Sequence, residues 1–327
     1  MPLRRRTFSA GLLCSIGAPA VQASTQPGSY PTKPIRLIVP LAAGSAVDNA
    51  ARVLCQKMGQ QLGQSFVIEN QPGSAGLIGA ERVARASPDG YTMGGFNDSI
   101  LTMVPHIYPK VGWNALTDFV PVSLVGTIEW GIVVKPDAPY RTLGEFVAAA
   151  KAAPGKLTFG SGGNGSPQHL AMAMFASRAG ISLMHVPYRG ATPAGLAVAT
   201  GEVDIGFQGL GTINALVQAG KLRLLAASAP QRLSQYPEVP TVSESGFSGF
   251  LFNSWFAMVA PKGTPKSIVQ QLHKAIALAL KDESTRQQLT AQGLTIQGTT
   301  PEAFVTALRE QYDRYQKVIQ TSSITAD

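Results

Sequence analysis

Short apolar runs of strand character alternate with helical segments along most of this chain, and that alternation limits the folds open to it. The first strand candidate covers residues 35–40, and an amphipathic segment follows at residues 46–62. Helices of about 10 to 16 residues between strands predict parallel sheets covered by helices on both faces. We predict strands at residues 35–40, 65–69, 91–96, 120–125, 131–135, 156–159, 183–186, 204–207, 222–227 and 293–297, and helices at residues 47–62, 78–86, 142–152, 166–179, 193–200, 211–219, 266–280, 283–292 and 301–319.

The junction after the first predicted strand is a short loop of small residues that runs from Pro40 into a helix. Ser45 followed by Asp48 fits the capping pattern that starts many helices. Free backbone N–H groups and the positive end of the helix dipole favour an anion at such a position. A turn that is capped for stability alone has the same pattern. This loop by itself leaves both interpretations open.

A second loop of the same kind covers residues 158–167, again between a predicted strand and a predicted helix. Ser166 is the expected N-cap, and Pro167 occupies the first helical position. Four glycines among residues 160–165 let the backbone approach a ligand closely. Their spacing formally matches the dinucleotide-binding fingerprint, but that fingerprint needs an acidic residue about 20 positions on. The absence of any acid between Glu145 and Glu202 argues against a nucleotide site.

Signatures of enzymes and metal sites are missing from the sequence. The four histidines include no pair at the helical spacing of a metal site, and the Gly-x-Ser-x-Gly motif of serine hydrolases does not occur. His169 either lines a cleft or helps to cap its helix, and Asp204 either faces the cleft or is satisfied by nearby backbone. Tyr188 and Arg189 could meet a carboxylate, although a solvated Arg189 is the more common arrangement. We therefore predict no catalytic residue, no metal and no cofactor.

Residues 1–23 have the pattern of a secretory signal peptide. Three arginines at positions 4–6 precede a moderately apolar run, and Val-Gln-Ala at positions 21–23 fits a cleavage site before Ser24. The arginines are compatible with both the twin-arginine route and the general export route. No other run reaches the ~18 apolar residues of a membrane helix. We predict an exported, soluble protein whose remaining cysteine, Cys55, is a buried and inert thiol.

The positive charge of the chain is spread out. The formal net charge is +8, and removal of the predicted signal peptide lowers it to +5 because three arginines and no acid are lost. No run of Lys or Arg follows residue 6, so the sequence does not favour nucleic acid. A moderate positive charge suits an acidic small molecule instead.

Several short motifs, found in order along the chain, resemble those of one family of binding proteins. The chain resembles the periplasmic receptors of tripartite tricarboxylate transporters, the Bug-type solute-binding proteins. The stretches that carry the resemblance are Tyr-Pro-Thr-Lys-Pro-Ile-Arg at residues 30–36, Val-Ile-Glu-Asn-Gln-Pro-Gly at 67–73, Ser-Pro-Asp-Gly-Tyr-Thr at 87–92, Asp-Phe-Val-Pro-Val-Ser at 118–123, the glycine-rich loop at 160–169, His-Val-Pro-Tyr at 185–188, Gly-Glu-Val-Asp at 201–204, and Trp255 with Ala-Pro-Lys-Gly-Thr-Pro at 260–265.

The resemblance implies an α/β protein of two lobes, of the type II periplasmic binding protein kind, each with a mostly parallel sheet flanked by helices. Lobe 1 would contain residues 24–129 and 251–327, and lobe 2 residues 130–250. A small organic acid would bind between the lobes of a monomer that closes on it and delivers it to membrane transporter subunits. Together with the residues considered above, this gives the predicted ligand-binding set Leu41, Gly44, Ser45, Asp48, Asn97, Ser99, Ser161, Gly162, Asn164, Gly165, Ser166, His169, Tyr188 and Asp204.

The first loop departs from the family pattern, which usually has an aromatic residue after the proline and two adjacent glycines. Leu41 replaces the aromatic residue and Ser45 the second glycine, so the pocket is expected to be reshaped toward a larger or more apolar ligand. Asp98 is also more acidic than a carboxylate site wants, unless its side chain points away. Two other functions stay open: a ligand sensor for a membrane signalling protein, and an exported hydrolase or lyase that uses His169 or His185.

Overall fold

The computed structural model describes residues 30–108 and 110–322, so the predicted signal peptide lies outside the described residues. Eleven strands are assigned within this part of the chain. They are β1 (Ile35–Val39), β2 (Phe66–Asn70), β3 (Thr92–Asn97), β4 (Phe119–Ile128), β5 (Trp130–Val134), β6 (Thr158–Ser161), β7 (Met184–Pro187), β8 (Ile205–Gly209), β9 (Arg223–Ser228), β10 (Ser254–Pro261) and β11 (Leu294–Ile296).

Helices lie between most of these strands, as the alternation predicts. They are α1 (Ala46–Leu62), α2 (Leu77–Ala84), α3 (Asp98–Thr102), α4 (Val104–Ile107), α5 (Leu143–Ala152), α6 (Pro167–Ala179), α7 (Ala191–Thr200), α8 (Leu210–Gln218), α9 (Lys266–Lys281), α10 (Glu283–Ala291) and α11 (Pro301–Ser322). No helix in the described ranges is both long and apolar enough to cross a membrane.

The strands form two separate sheets, one in each lobe. The sheet of lobe 1 has the order β11-β4-β10-β3-β1-β2, and that of lobe 2 has the order β7-β6-β8-β5-β9. All strands of the second sheet lie within residues 130–228, inside the segment predicted as lobe 2. The predicted α/β fold of two lobes is confirmed; the exact limits of the lobes stay a prediction.

Both sheets are mixed, which corrects the expectation of mostly parallel sheets. β1 runs parallel to β2 and β3, and β6 runs parallel to β7 and β8. The strands next to the chain crossings, β4, β5, β9 and β10, pair antiparallel with their neighbours. The reason is that β5 and β10 each begin at the edge where the chain has just crossed from the other lobe, whereas the parallel strands end at that edge.

The apolar core covers both faces of each sheet. In lobe 1, Leu37 and Val39 of β1 pack on one face, and Ile38 between them packs on the other. Burial on both faces explains why these strands read as continuous apolar runs. Cys55 on α1 is a buried free thiol, as predicted, and burial raises the pKa of its thiol.

Candidate ligand-binding site

A cleft between the lobes lies at the carboxyl ends of the parallel strands in both sheets. Open α/β sheets bind ligands at this edge, where the following helices begin. The cleft encloses a cavity of about 70 Å³, which is room for several waters or a small ligand. It is lined by Pro40, Leu41, Ala42, Ser45, Ala46, Val47, Pro72, Gly73, Ala75, Gly76, Asn97, Ser99, Ile128, Trp130, Gly162, Ser166, Pro167, Gln168, Gly190, Ala191, Gly209, Thr212 and Ser254.

The electrostatic character of the cleft comes from helix ends. The N-cap residues of six helices line it, three from each lobe: Ser45, Gly76, Asn97, Ser166, Gly190 and Gly209. No Lys, Arg, His, Asp or Glu is among the described residues that line it. The amino end of a helix carries a positive partial charge and unpaired N–H groups. The arrangement therefore suits an anion that is held by backbone rather than by a cationic side chain.

The first loop is held in shape from behind by Asp48. Its carboxylate accepts hydrogen bonds from the backbone N–H of Gly44 (2.8 Å), from the Arg52 guanidinium (3.0 Å) and from the Asn70 amide (2.9 Å). Asn70 also donates to the carbonyl of Leu41 at 3.2 Å. Asp48 is thus satisfied within lobe 1 and fixes the loop whose Leu41 and Ser45 line the cleft.

The second loop is shaped by glycine and by local capping. Gly163 and Gly165 have φ of 115° and 71°, in the region that glycine enters without strain. The Ser166 hydroxyl accepts from the backbone N–H of His169 and so caps α6. At Gly162, a Cβ would lie 3.2 Å from the backbone nitrogen of Ala191. A side chain at that position would therefore press against the start of α7.

A stacked pair of histidines supports this second loop. The rings of His169 and His185 are 4.1 Å apart and nearly parallel, and Phe159 stacks on His185 at 4.7 Å. Nε2 of His185 lies 2.5 Å from the Ser161 hydroxyl, which also accepts from the backbone N–H of Gly163. Burial, and then the neighbouring His169, lowers the pKa of His185 to about 4, and burial lowers the pKa of His169. Both rings are therefore neutral at pH 7.

The lobes touch each other around the cleft. Thr192 at the start of α7 donates to the carbonyl of Ala43 at 2.8 Å. The backbone N–H of Ala46 donates to the Thr212 hydroxyl at 3.0 Å, and the Asn49 amide donates to the carbonyl of Gly211 at 2.8 Å. These contacts join the first loop and α1 of lobe 1 to α7 and α8 of lobe 2, so the described conformation is closed.

The two chain crossings form the floor of the cleft. Trp130 begins β5 just after the first crossing, and its indole N–H donates to the Ser254 hydroxyl at 2.9 Å. Ser254 begins β10 just after the second crossing. The floor thus presents an indole ring next to Ile128, in keeping with a ligand that has an apolar part.

The structure brings six of the predicted ligand-binding residues together. Leu41, Ser45, Asn97, Ser99, Gly162 and Ser166 line the cleft. The other eight do not line it: Gly44, Asp48, Ser161, Asn164, Gly165, His169, Tyr188 and Asp204. Gly44 and Asp48 belong to the network behind the first loop, whereas Ser161, Gly165 and His169 belong to the interior of the second.

The side chains of two other predicted residues, Asp204 and Tyr188, are engaged in hydrogen bonds away from the cleft. Asp204 accepts from the backbone N–H and the hydroxyl of Thr158 at 2.7 and 2.8 Å. It precedes β8, whose opposite end, at Gly209, lines the cleft. The Tyr188 hydroxyl donates to the Glu202 carboxylate at 2.8 Å. Local hydrogen bonding thus accounts for both side chains.

Sequence reasoning missed the lining residues that come from the starts of α7 and α8 and from the chain crossings. Gly190, Ala191, Gly209 and Thr212 belong to the first group. Gly190 was the available signal, because a glycine often directly precedes a helix. We predicted that helix to start at residue 193, two residues too late, so Gly190 was not recognised as its N-cap. Trp130 and Ser254 had no local signal, because their place follows from the crossing of the chain between the lobes.

Comparison with known proteins identifies the family. The model of the tripartite tricarboxylate transporter family receptors matches residues 50–324. The chain belongs to this family. A protein encoded in the tcbD-tcbE intergenic region of Pseudomonas sp. strain P51 is 35% identical over 324 residues, which is 99% of this chain and 96% of that protein. Protein BugT of Bordetella pertussis is 32% identical over 306 residues, 93% of this receptor and 94% of BugT.

Solved structures agree with this assignment. The periplasmic binding protein BugD is 30% identical to the receptor, with a TM-score of 0.86 over 90% of this chain and 99% of that one. A Rhodopseudomonas palustris protein with adipate is 30% identical, with a TM-score of 0.88 and the same coverage. MatC of that organism, with bound malate, is 28% identical with a TM-score of 0.83, over 89% of this chain and 100% of MatC. The predicted family and its two-lobed fold are confirmed.

Proposed function

We propose that this receptor binds a small organic carboxylate in the cleft between its lobes and delivers it to a tripartite tricarboxylate-type membrane transporter. The observation that carries the proposal is the meeting of six helix N-caps around a cleft whose described lining has no charged side chain. Similar receptors are solved with adipate and with malate, both of which are carboxylates.

Helix ends can hold a carboxylate without a cationic partner. Each of the five longer helices contributes up to about half a positive elementary charge at its amino end, and all six contribute N–H groups that have no partner inside the helix. A carboxylate taken out of water is stable only where such donors replace its lost hydration. Ser45 and Ser166 add hydroxyl donors from the two lobes. A ligand that contacts both sets of donors holds the lobes together.

Closure couples binding to transport. The hydrogen bonds from the Thr192 hydroxyl to the Ala43 carbonyl and from the Ala46 N–H to the Thr212 hydroxyl form only when the lobes meet. A ligand shifts a protein toward the conformation that it binds better. The closed receptor therefore presents a surface that differs from that of the open one, and a transporter can read this difference. We place this receptor in the periplasm, as a monomer, on the pattern of residues 1–23 and the family to which it belongs.

The geometry supports a hydrolase or lyase that uses His169 or His185 less well than it supports a binding protein. The Ser161 hydroxyl next to His185 is fully buried, and neither residue lines the cleft. The hydroxyl also accepts from the backbone N–H of Gly163, so the contact between Ser161 and His185 fixes the shape of the second loop. The described cleft offers no geometry that would favour a sensor over a transport receptor.

Thermal unfolding of the chain from Ser24 onward, with a panel of carboxylic acids that includes adipate and malate, tests the proposal. A ligand at 100 times its Kd adds about 2.7 kcal/mol of stability, or roughly 5 °C in Tm for a protein of this size. Adipamide and malamide are the controls, because they keep the size of the acids and remove the charge.

We expect at least one acid to raise Tm and to be recovered unaltered, and its amide to have no effect. An equal shift with acid and amide would show that the site does not select a carboxylate. Consumption of the bound acid, with loss of turnover in His169→Ala, would favour the enzyme instead.

A further inference from the structure

Asp98 is a fully buried acid directly next to the candidate site. It is the first residue of α3, and its neighbours Asn97 and Ser99 both line the cleft. Its own side chain does not line the cleft; one carboxyl oxygen, Oδ2, accepts from the Gln311 amide of α11 at 3.2 Å. Asp98 is therefore one residue away from the cleft lining in both directions along the chain, and its side chain contacts α11.

This acid lacks the cationic partner that a buried, ionised carboxylate usually has inside a protein. Its other oxygen, Oδ1, is buried without a hydrogen-bond partner, and no Lys, Arg or His among the described residues forms an ion pair with it. An ionised carboxylate in that setting is strongly disfavoured, and the neutral acid is the stable form.

The elements packed against α3 bring few titratable groups to its neighbourhood. β3 and β10 carry none, and α4 carries His106, whose pKa is lowered by burial. The titratable and charged residues of α11 are Glu302, Arg309, Glu310, Tyr312, Asp313, Arg314, Tyr315 and Lys317. Of these, Tyr315 interacts electrostatically with Asp98, and burial raises the pKa of its hydroxyl. His106 and Tyr315 are thus both neutral from pH 7 to pH 9.5.

Burial raises the pKa of Asp98 to about 8, although the backbone N–H groups of Ser99, Asp98 and Trp255 and the Gln311 amide act in the opposite direction. The carboxyl is therefore largely neutral at pH 7 and ionises within the range in which proteins of this kind can be studied. A negative ligand placed in the cleft makes the ionised form still less favourable, since like charges at close range repel.

We infer that the receptor takes up a proton at Asp98 when it binds its carboxylate ligand above neutral pH, and that Asp98 acts as a neutral positioning residue for the cleft-lining turn of Asn97 and Ser99. The inference rests on the proposed function, because it needs an anion in the cleft. Gln311 extends the contact: its oxygen accepts from the indole N–H of Trp255, while its amide donates to Asp98. Ionisation of Asp98 strengthens one of these contacts and changes the surroundings of the indole.

Calorimetric titration with adipate and with malate between pH 7 and pH 9.5 measures the coupling. We expect Kd of the wild-type receptor to rise about tenfold over this range, which corresponds to repulsion between two charges about 10 Å apart in a protein environment. At pH 8, titration in two buffers of different ionisation enthalpy should give uptake of about half a proton per ligand, since half of the free receptor is then ionised.

Asp98→Asn is the test variant, because an amide has the shape of the neutral acid and cannot ionise. Its Kd should equal that of the wild type at pH 7 and stay constant to pH 9.5, with no proton uptake. Asp137→Asn is the matched control: this acid is exposed in lobe 2, pairs with Lys135 at 3.1 Å, and should leave the pH dependence of Kd as in the wild type. If Asp98→Asn does not fold, the two-buffer titration of the wild type still tests the inference, because absence of proton uptake at pH 8 would contradict it.

A measurement without ligand separates this inference from the proposed function. The fluorescence of Trp255, identified by its loss in Trp255→Phe, should titrate near pH 8 in the wild type and not in Asp98→Asn. Absence of that titration, or a Kd that is equally independent of pH in both proteins, would overturn the inference. Failure of every carboxylate to bind at any pH would count against the proposed function, whatever the fluorescence shows.

Discussion

The hydroxyl of Ser166 has two roles, since it caps α6 and lines the cleft. Ser166→Ala should lower the free energy of unfolding by about 1 kcal/mol through loss of the cap, and should raise Kd for a carboxylate about tenfold through loss of a donor to a charged group. Thr142→Ala is the matched control, because Thr142 makes the same capping contact on α5 and does not line the cleft. Chemical denaturation and calorimetry give the two values. Equal Kd in both variants would mean that the Ser166 hydroxyl does not touch the ligand.

His185 should make the receptor sensitive to acid. An unfolded chain binds a proton at a histidine near pH 6.5, whereas the folded chain does so at His185 only near pH 4. Between these values the unfolded state holds more protons, so the free energy of unfolding falls as the pH falls from 6.5 to 4. His185→Gln should lose less stability between pH 7 and pH 4.5 than the wild type, as measured by urea midpoints. An identical loss in both would assign the acid sensitivity to other groups.

At the residue scale, the sequence identified the loops better than it identified the contacts. Ser45 and Ser166 were recognisable because a capping residue has a fixed place relative to its helix. Asp48 and Asp204 are also polar residues near the predicted loops, but their side chains point away from the cleft. Asp48 contacts Arg52, and Asp204 contacts Thr158. The partner of Asp204 is 46 positions away, and no local pattern records it, whereas Arg52 is only four positions from Asp48 on the same helix.

At the element scale, the alternation of strands and helices predicted nearly all of the βα units, because buried parallel strands are short apolar runs with clear stops. The sequence did not reveal β10, a buried strand of eight residues. Continuous burial removes the period of two that marks a strand, and its antiparallel pairing with β3 and β4 depends on residues more than 120 positions away. The sequence also did not reveal α3 and α4, because helices of five and four residues are too short to show a helical period of apolar residues.

The position of β10 between β3 and β4 makes it the most sensitive strand to test in lobe 1. Met258 is fully buried there, within the core. Met258→Ala should lower the free energy of unfolding by about 2–5 kcal/mol, since the vacated volume cannot be refilled. Leu278→Ala on α9, whose side chain is 46% exposed, should change it by less than about 0.5 kcal/mol. Similar denaturation midpoints in the two variants would mean that the core around β10 is not closely packed.

At the scale of the whole molecule, function depends on how closely the two lobes can approach. Around the first loop the lobes meet through backbone and small side chains: Gly190 at the start of α7 lies against Ala42. Small residues permit this approach and give few apolar contacts of their own. We therefore expect the ligand to add to the free energy that favours closure, as a receptor that releases its ligand requires.

Gly190→Ala tests whether this approach is needed for binding. A Cβ at position 190 would lie 2.7 Å from the Cβ of Ala42, and φ there is 119°. Gly180→Ala is the control, because Gly180 also has a positive φ (62°) but open space around its Cβ position. Gly180→Ala should lose about 1 kcal/mol of stability from backbone strain. Gly190→Ala should lose more, about 1–3 kcal/mol, because its φ of 119° and ψ of 171° lie in a region open essentially to glycine alone. We expect Gly190→Ala alone to raise Kd at least about tenfold and to keep a larger radius of gyration with ligand in small-angle X-ray scattering. If it instead contracts and binds as Gly180→Ala does, closure does not depend on the close approach of Gly190 to Ala42.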